Sequence, residues 1–233
     1  MITAYSTLKM ANQESIATST LESIGCWTES SGGHTTRDTF DDCINPSYDD
    51  LRHLAALPCL KRVCFYGTPV DGNLLSSLTC DQTLTSLNLN CTSITQSDVK
   101  IIARFPKLEH VGLMGTPADD DCLESLLSCP EITNLRIDGT NITPDGTVRL
   151  VKKLDLNTFW IGGNQLSTES LTAISKLAGL REFNVCGESV VDAHIELLLT
   201  FPKPECLFIK NTCISNSGLE RLAHVYPNAS NVE

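Results

Sequence analysis

The chain has 233 residues, 41% of them hydrophobic and 6% aromatic, and a formal net charge of −11. This hydrophobic fraction excludes disorder throughout the chain, and no apolar run reaches the roughly 18 residues that a membrane-spanning helix needs. The acidic balance disfavours nucleic acids and anionic membranes as partners, because both would be repelled by the protein surface.

The N-terminal segment, residues 1–50, is predicted to be a partly irregular cap. Polar residues interrupt every apolar run in it, which is not the pattern of a signal peptide. We predict a helix near residues 14–24 and a Ser/Gly-rich loop near residues 30–33. The chain contains eleven cysteines, an odd number with no CxxC pair. We therefore expect reduced thiols and a cytoplasmic protein rather than a secreted disulfide framework.

A 24-residue repeat follows the cap. Written LxxLxLxxTxI, it recurs seven times without an insertion, starting at Leu60, Leu84, Leu108, Ile132, Leu156, Leu180 and Pro204. Two apolar positions separated by one residue predict a short strand with one buried face. The threonine that usually comes next can hydrogen-bond to the backbone, and so it predicts a turn.

The second half of each unit changes to helical periodicity. In six units a Ser, Thr or Asp stands eleven residues after the start, where it predicts a helix N-cap. In all units but the fourth, two apolar residues follow at i, i+3 spacing, which predicts a short helix. The sixth unit departs from the pattern at Glu188 and Val191, which predicts a locally irregular turn. Residues 51–58 match the helical end of one more unit. We therefore assign residues 51–225 to the repeats and residues 226–233 to a short C-terminal tail.

The full pattern, LxxLxLxxTxITxxxLxxLxxxP, resembles that of leucine-rich-repeat proteins. The resemblance covers residues 51–225, with Thr in the place of the Asn ladder that is common in this family. It implies an α/β fold, a right-handed solenoid or horseshoe with parallel strands on the concave face and short helices on the convex face. Such solenoid surfaces serve recognition, and we expect a non-enzymatic protein-interaction module.

The repeat register predicts which side chains face the concave wall. We predict that the partner-binding residues are Arg62, Tyr66, His110, Met114, Arg136, Asp138, Trp160, Asn184, Phe208 and Lys210. Aromatic residues, Met and Arg are enriched in protein interfaces, and Arg136 is close enough to Trp160 to stack on it. Charges of both signs occur on the wall. We therefore expect a protein partner with a mixed-charge surface and an apolar centre.

No sequence motif of catalysis, phosphate binding or metal binding is present, and we expect neither a cofactor nor a metal. Two weaker patterns stay open. Ser86 and His110 occupy equivalent positions of adjacent units and could pair as nucleophile and base. The cap contains four residues of metal-ligating type: Cys26, His34, Asp38 and Cys43. The alternative functions are a substrate-recognition subunit of a ubiquitin ligase and a secreted effector or receptor ectodomain.

Overall fold

The computed structural model describes residues 2–39, 46–202 and 204–227, with side chains from residue 9 onward. Nine strands form one sheet in chain order. They are β1 (Trp27–Ser31), β2 (His34–Thr39), β3 (Arg62–Cys64), β4 (Ser86–Asn88), β5 (His110–Gly112), β6 (Asn134–Arg136), β7 (Thr158–Trp160), β8 (Glu182–Asn184) and β9 (Cys206–Phe208). The strands from β2 to β9 are parallel, and β1 is antiparallel to β2.

Short helices connect the strands. They are α1 (Ile2–Ser23), α2 (Tyr48–Leu51), α3 (Gly72–Ser77), α4 (Gln96–Val99), α5 (Leu123–Leu127), α6 (Pro144–Val151), α7 (Thr168–Ile174), α8 (Ile195–Leu198) and α9 (Asn216–Val225). Single 3₁₀ turns occupy Arg52–Ala56, Lys100–Arg104, Asp120–Cys122 and Asp192–His194. None of the described helices is long and apolar enough to cross a membrane.

The strand register follows the 24-residue repeat. Leu87, Val111 and Leu135 pair as direct neighbours on β4, β5 and β6, and all three are buried. The core lies between these strand residues and the buried faces of the helices. The predicted α/β leucine-rich-repeat solenoid, with its strands on the concave side and its helices on the convex side, is therefore confirmed.

The predicted helix caps are confirmed in the six regular units. In each, the capping oxygen accepts a hydrogen bond from a backbone N–H two or three residues later; the capping residues are Asp71, Thr95, Asp119, Thr143, Ser167 and Ser215. In the sixth unit Val191 has no capping oxygen. Its own backbone N–H instead donates to Nδ1 of His194 at 3.3 Å. His194 is buried beside this contact.

The turn after each strand contains a residue with positive φ, a feature that the sequence analysis did not use. It directly precedes the turn threonine position in all seven units: Gly67, Cys91, Gly115, Gly139, Gly163, Gly187 and Asn211. Gly187 has a φ of 131°, whereas its six counterparts lie between 55° and 77°, which confirms the predicted irregularity of the sixth turn. Left-handed backbone is strained for residues with a Cβ atom. The recurring glycine at this position could therefore have predicted the turn.

The N-terminal cap is more regular than predicted. The predicted helix is part of α1, which begins at Ile2, and the Ser/Gly-rich loop is the turn of a β1–β2 hairpin. Strand β2 joins the repeat sheet by pairing with β3. At the other end, Tyr226 is not part of a tail. It is buried, and its hydroxyl donates to the carbonyl oxygen of Leu198 at 2.6 Å.

Candidate functional site

The sheet face opposite the helices forms the concave wall, and one row of residues runs along its centre. Register pairs place these residues side by side, and we call them the central row: Cys64, Asn88, Gly112, Arg136, Trp160, Asn184 and Phe208. The row extends into the cap through Thr39, which pairs with Cys64. The cap therefore contributes to the wall, whereas the sequence predicted a wall made by the repeats alone.

Three side chains of the central row form an aromatic cluster. The guanidinium carbon of Arg136 lies 4.0 Å from the ring centre of Trp160, and the ring centres of Trp160 and Phe208 are 5.2 Å apart. Their strands, β7 and β9, are two sheet spacings apart, or about 10 Å. The two rings therefore lean towards each other over Asn184. We call Arg136, Trp160 and Phe208 the aromatic cluster.

Polar side chains beneath the aromatic cluster hold it in place. Oδ1 of Asp138 accepts hydrogen bonds from the Gly162 backbone N–H at 3.0 Å and from Nδ2 of Asn184 at 2.9 Å. Burial raises the pKa of Asp138 to about 6, although its hydrogen bonds and the charge of Arg136 oppose the rise. Only 8% of Asp138 is exposed. Asp138 was predicted to face a partner, but its burial makes it a positioning residue under the cluster instead.

A second row lies two residues after the central row, and we call it the outer row: Tyr66, Asn90, Met114, Asp138, Gly162, Cys186 and Lys210. Side chains in alternate units accept a hydrogen bond from the backbone N–H at the equivalent position of the next unit: Asn90 from Met114, Asp138 from Gly162, and Cys186 from Lys210. Tyr66 and Met114 are half-buried and Lys210 is exposed. Asn90, Asp138 and Cys186 recur every 48 residues, and this spacing could have indicated that they bond to the neighbouring unit.

A groove of about 440 Å³ runs along the wall from β2 to β8 and is lined in part by Arg62, Ser86, His110 and Asn134. Nδ2 of Asn134 donates to Nδ1 of His110 at 2.6 Å, which leaves the His110 proton on Nε2. Burial lowers the pKa of His110, Glu109 raises it, and Arg62 and Arg136 lower it. The ring is therefore a neutral hydrogen-bond donor near neutral pH. Ser86 makes no hydrogen bond to it, and the structure does not support the nucleophile–base pair.

Two residues that sequence reasoning missed border the groove at its N-terminal end. Arg37 stands beside Arg62 in the register, and its guanidinium carbon lies 4.9 Å from the ring centre of Trp27. Trp27 pairs with Thr39 and is 54% exposed. The wall thus has two arginine–tryptophan pairs, Arg37 with Trp27 and Arg136 with Trp160. The repeat could not reveal the first pair, because the β1–β2 hairpin lies outside it.

The four cap residues of metal-ligating type, Cys26, His34, Asp38 and Cys43, do not form a metal site among the residues that the structure covers. Cys26 contacts Asp38, with its Sγ 3.5 Å from Oδ1, whereas Nδ1 of His34 bonds to Glu14 at 2.9 Å. Cys43 lies outside the described residues. Within the described ranges, no three His, Cys, Asp or Glu side chains lie close enough to hold a metal ion.

The 24-residue repeat and the parallel sheet define a leucine-rich-repeat fold. Among similar solved structures, an internalin (inlF) from Listeria monocytogenes has a TM-score of 0.57 at 20% identity, covering 79% of this chain and 51% of its own. Internalin C2 (inlC2) from the same species has a TM-score of 0.55 at 19% identity, covering 88% of each chain. This chain therefore spans about half the length of the first structure. No protein-family model and no curated protein matches the sequence. At these identities the likeness shows the fold alone.

Proposed function

We propose that the protein is a non-enzymatic interaction module that binds a partner protein through its concave wall. The aromatic cluster carries this proposal. It combines a tryptophan, a phenylalanine and an arginine in contact on the sheet face opposite the described helices. Trp and Arg dominate interface hot spots, and solenoid walls of this kind are extended binding surfaces.

The contact residues extend from the aromatic cluster along the wall. In this proposal the residues that touch the partner are Arg62, Tyr66, His110, Met114, Arg136, Trp160, Asn184, Phe208 and Lys210. Asp138 acts from below by holding Asn184. The partner surface carries both charges and an apolar centre. We also propose a cytoplasmic location, on the ground that eleven cysteines without a paired spacing suit a reducing compartment.

Trp160→Ala is expected to weaken partner binding about thirty-fold, since an interface anchor contributes about 2 kcal/mol. The thermal midpoint should change little, because Trp160 is partly exposed. The measurement is calorimetric titration of the partner, isolated by affinity capture on the wild-type protein. Phe208→Ala should act in the same direction.

Tyr48→Ala is the matched control, because it truncates an exposed aromatic residue on α2, at the start of the helical layer. It should leave the affinity unchanged. Equal affinities for the wild type, Trp160→Ala and Phe208→Ala would mean that the concave wall is not the binding site.

A further inference from the structure

Most arginines of the chain are paired with a carboxylate, and two that line the concave groove are not. Six of the eight arginines have a carboxylate oxygen within 4.0 Å: Arg37–Glu29, Arg52–Asp49, Arg104–Asp81, Arg149–Glu124, Arg181–Glu205 and Arg221–Glu196. Arg62 and Arg136 have none among the described residues, and both line the groove. A chain with a net charge of −11 thus leaves two positive charges without a carboxylate on one wall.

The groove between these two arginines has the chemistry of a carboxylate site. His110 presents its Nε2–H there, held by the bond from Asn134, and Ser86 adds a hydroxyl. The side chains of Asn88 and Asn90 fill the space over Gly112, since a Cβ atom at this position would come within 2.7 Å of Oδ1 of Asn90. Carboxylates accept hydrogen bonds and pair well with arginine. Arg62 and Arg136 therefore line the groove with no carboxylate oxygen of the described residues within 4.0 Å, whereas Nε2 of His110 has Glu109 at 3.9 Å.

Acidic residues near the groove favour a peptide over a polyphosphate. Glu109 lies 3.9 Å from Nε2 of His110, and Glu182 lines the far end of the groove. Asp38 also lines it, but Asp38 is fully buried. These residues would repel a chain that carries a charge on every unit, as nucleic acids do. A protein segment with one or two acidic side chains carries fewer charges and meets less of this repulsion.

We infer that the partner presents an extended acidic segment, whose carboxylates lie between Arg62 and Arg136 and whose apolar side chain rests on Trp160 and Phe208. The inference rests on the proposed function and adds the chemistry of the ligand. Strands lie about 4.8 Å apart, so the middle of the groove and the middle of the Trp160–Phe208 pair are about 17 Å apart. An extended segment advances about 3.3 Å per residue. The acidic and apolar residues are therefore about five positions apart.

A random phage-displayed library of dodecapeptides, selected on the immobilised wild-type protein, tests this inference. Selected peptides should be enriched in Asp or Glu about five positions from an aromatic or aliphatic residue. The best peptide, made synthetically, should bind about ten-fold more tightly than its copy with Asn or Gln in place of the acid. Arg62→Gln should reduce this difference, and Arg62→Gln combined with Arg136→Gln should abolish it, because the charges that distinguish acid from amide are then gone.

Arg181→Gln removes the same charge from an exposed arginine outside the groove and should preserve the ten-fold preference. Peptides that need Trp160 but show no acidic preference would overturn this inference and leave the proposed function standing. Peptides that bind Trp160→Ala and Arg62→Gln as well as the wild type would overturn both. A twelve-nucleotide single-stranded DNA that displaces the peptide and binds more tightly would overturn the inference in favour of nucleic acid.

Discussion

Leu135→Ala is expected to lower the free energy of unfolding by about 2 to 5 kcal/mol, the usual cost of a cavity left by a buried leucine. Leu135 is fully buried on β6, where it pairs with Val111 on one side and Phe159 on the other. In a solenoid each unit is stabilised chiefly by its immediate neighbours, so the truncation weakens both unit interfaces in the middle of the array. Chemical denaturation followed by circular dichroism measures the loss.

Lys100→Ala is the control for this substitution. Lys100 is exposed in the 3₁₀ turn after α4, and its truncation should change the free energy of unfolding by less than about 0.5 kcal/mol. Equal denaturation midpoints for the two variants would contradict the repeat register.

Asp38 is the second position with a large expected effect, because it is an acid in the row of buried core residues. It pairs with Val63 on β3 and is fully buried. The Sγ of Cys26 donates to its Oδ1, but its Oδ2 has no partner within the described ranges. Burial raises the pKa of Asp38 to about 7; the hydrogen bond from Cys26 opposes the rise, and the charge of Glu22 adds to it.

The raised pKa predicts a pH-dependent stability. Between about pH 4 and pH 7 the unfolded chain releases a proton that folded Asp38 retains, so the free energy of unfolding falls as pH rises through this window. Asp38→Asn removes that loss. Since one pKa unit corresponds to about 1.4 kcal/mol, the variant should be more stable than the wild type by on the order of 2 to 4 kcal/mol at pH 8, and nearly equal to it at pH 3.

Denaturation midpoints at several pH values check this result. Asp155→Asn removes the same charge from an exposed residue and should follow the wild-type profile. Asp138, whose pKa is raised to about 6, adds a smaller slope of the same sign in all three proteins. An Asp38→Asn variant that matches the wild type at both pH 3 and pH 8 would contradict the assignment of a buried, protonated Asp38.

The repeat made the strands and helix caps predictable, because each depends on residues close together in sequence. Leu87 and Leu135 were assigned to the core from a period of two, and Asp71 and Thr95 were assigned as caps from their position before an apolar i, i+3 pattern. The same register placed Arg136 beside Trp160. These predictions needed only the 24-residue spacing and the alternation of a strand.

The missed features depend on contacts between side chains or on the cap. Asp138 occupies an outward position by register, but it turns under the wall because Gly162 and Asn184 offer it donors. Trp160 and Phe208 were expected about 10 Å apart from strand spacing, whereas their rings lean to 5.2 Å. Trp27 reaches the wall only because the β1–β2 hairpin extends the sheet. Side-chain torsions and hairpin pairing are not encoded in a repeat period.

The central claim is that the concave wall binds the partner, and the fluorescence of Trp160 tests it most directly. The chain has two tryptophans, so Trp27→Phe leaves Trp160 as the sole tryptophan and keeps an aromatic ring beside Arg37. The captured partner, either free of tryptophan or labelled with a quencher, is titrated while tryptophan is excited. Its binding should shift or quench the Trp160 emission in step with binding measured by calorimetry. An unchanged Trp160 emission at full calorimetric saturation would contradict the claim.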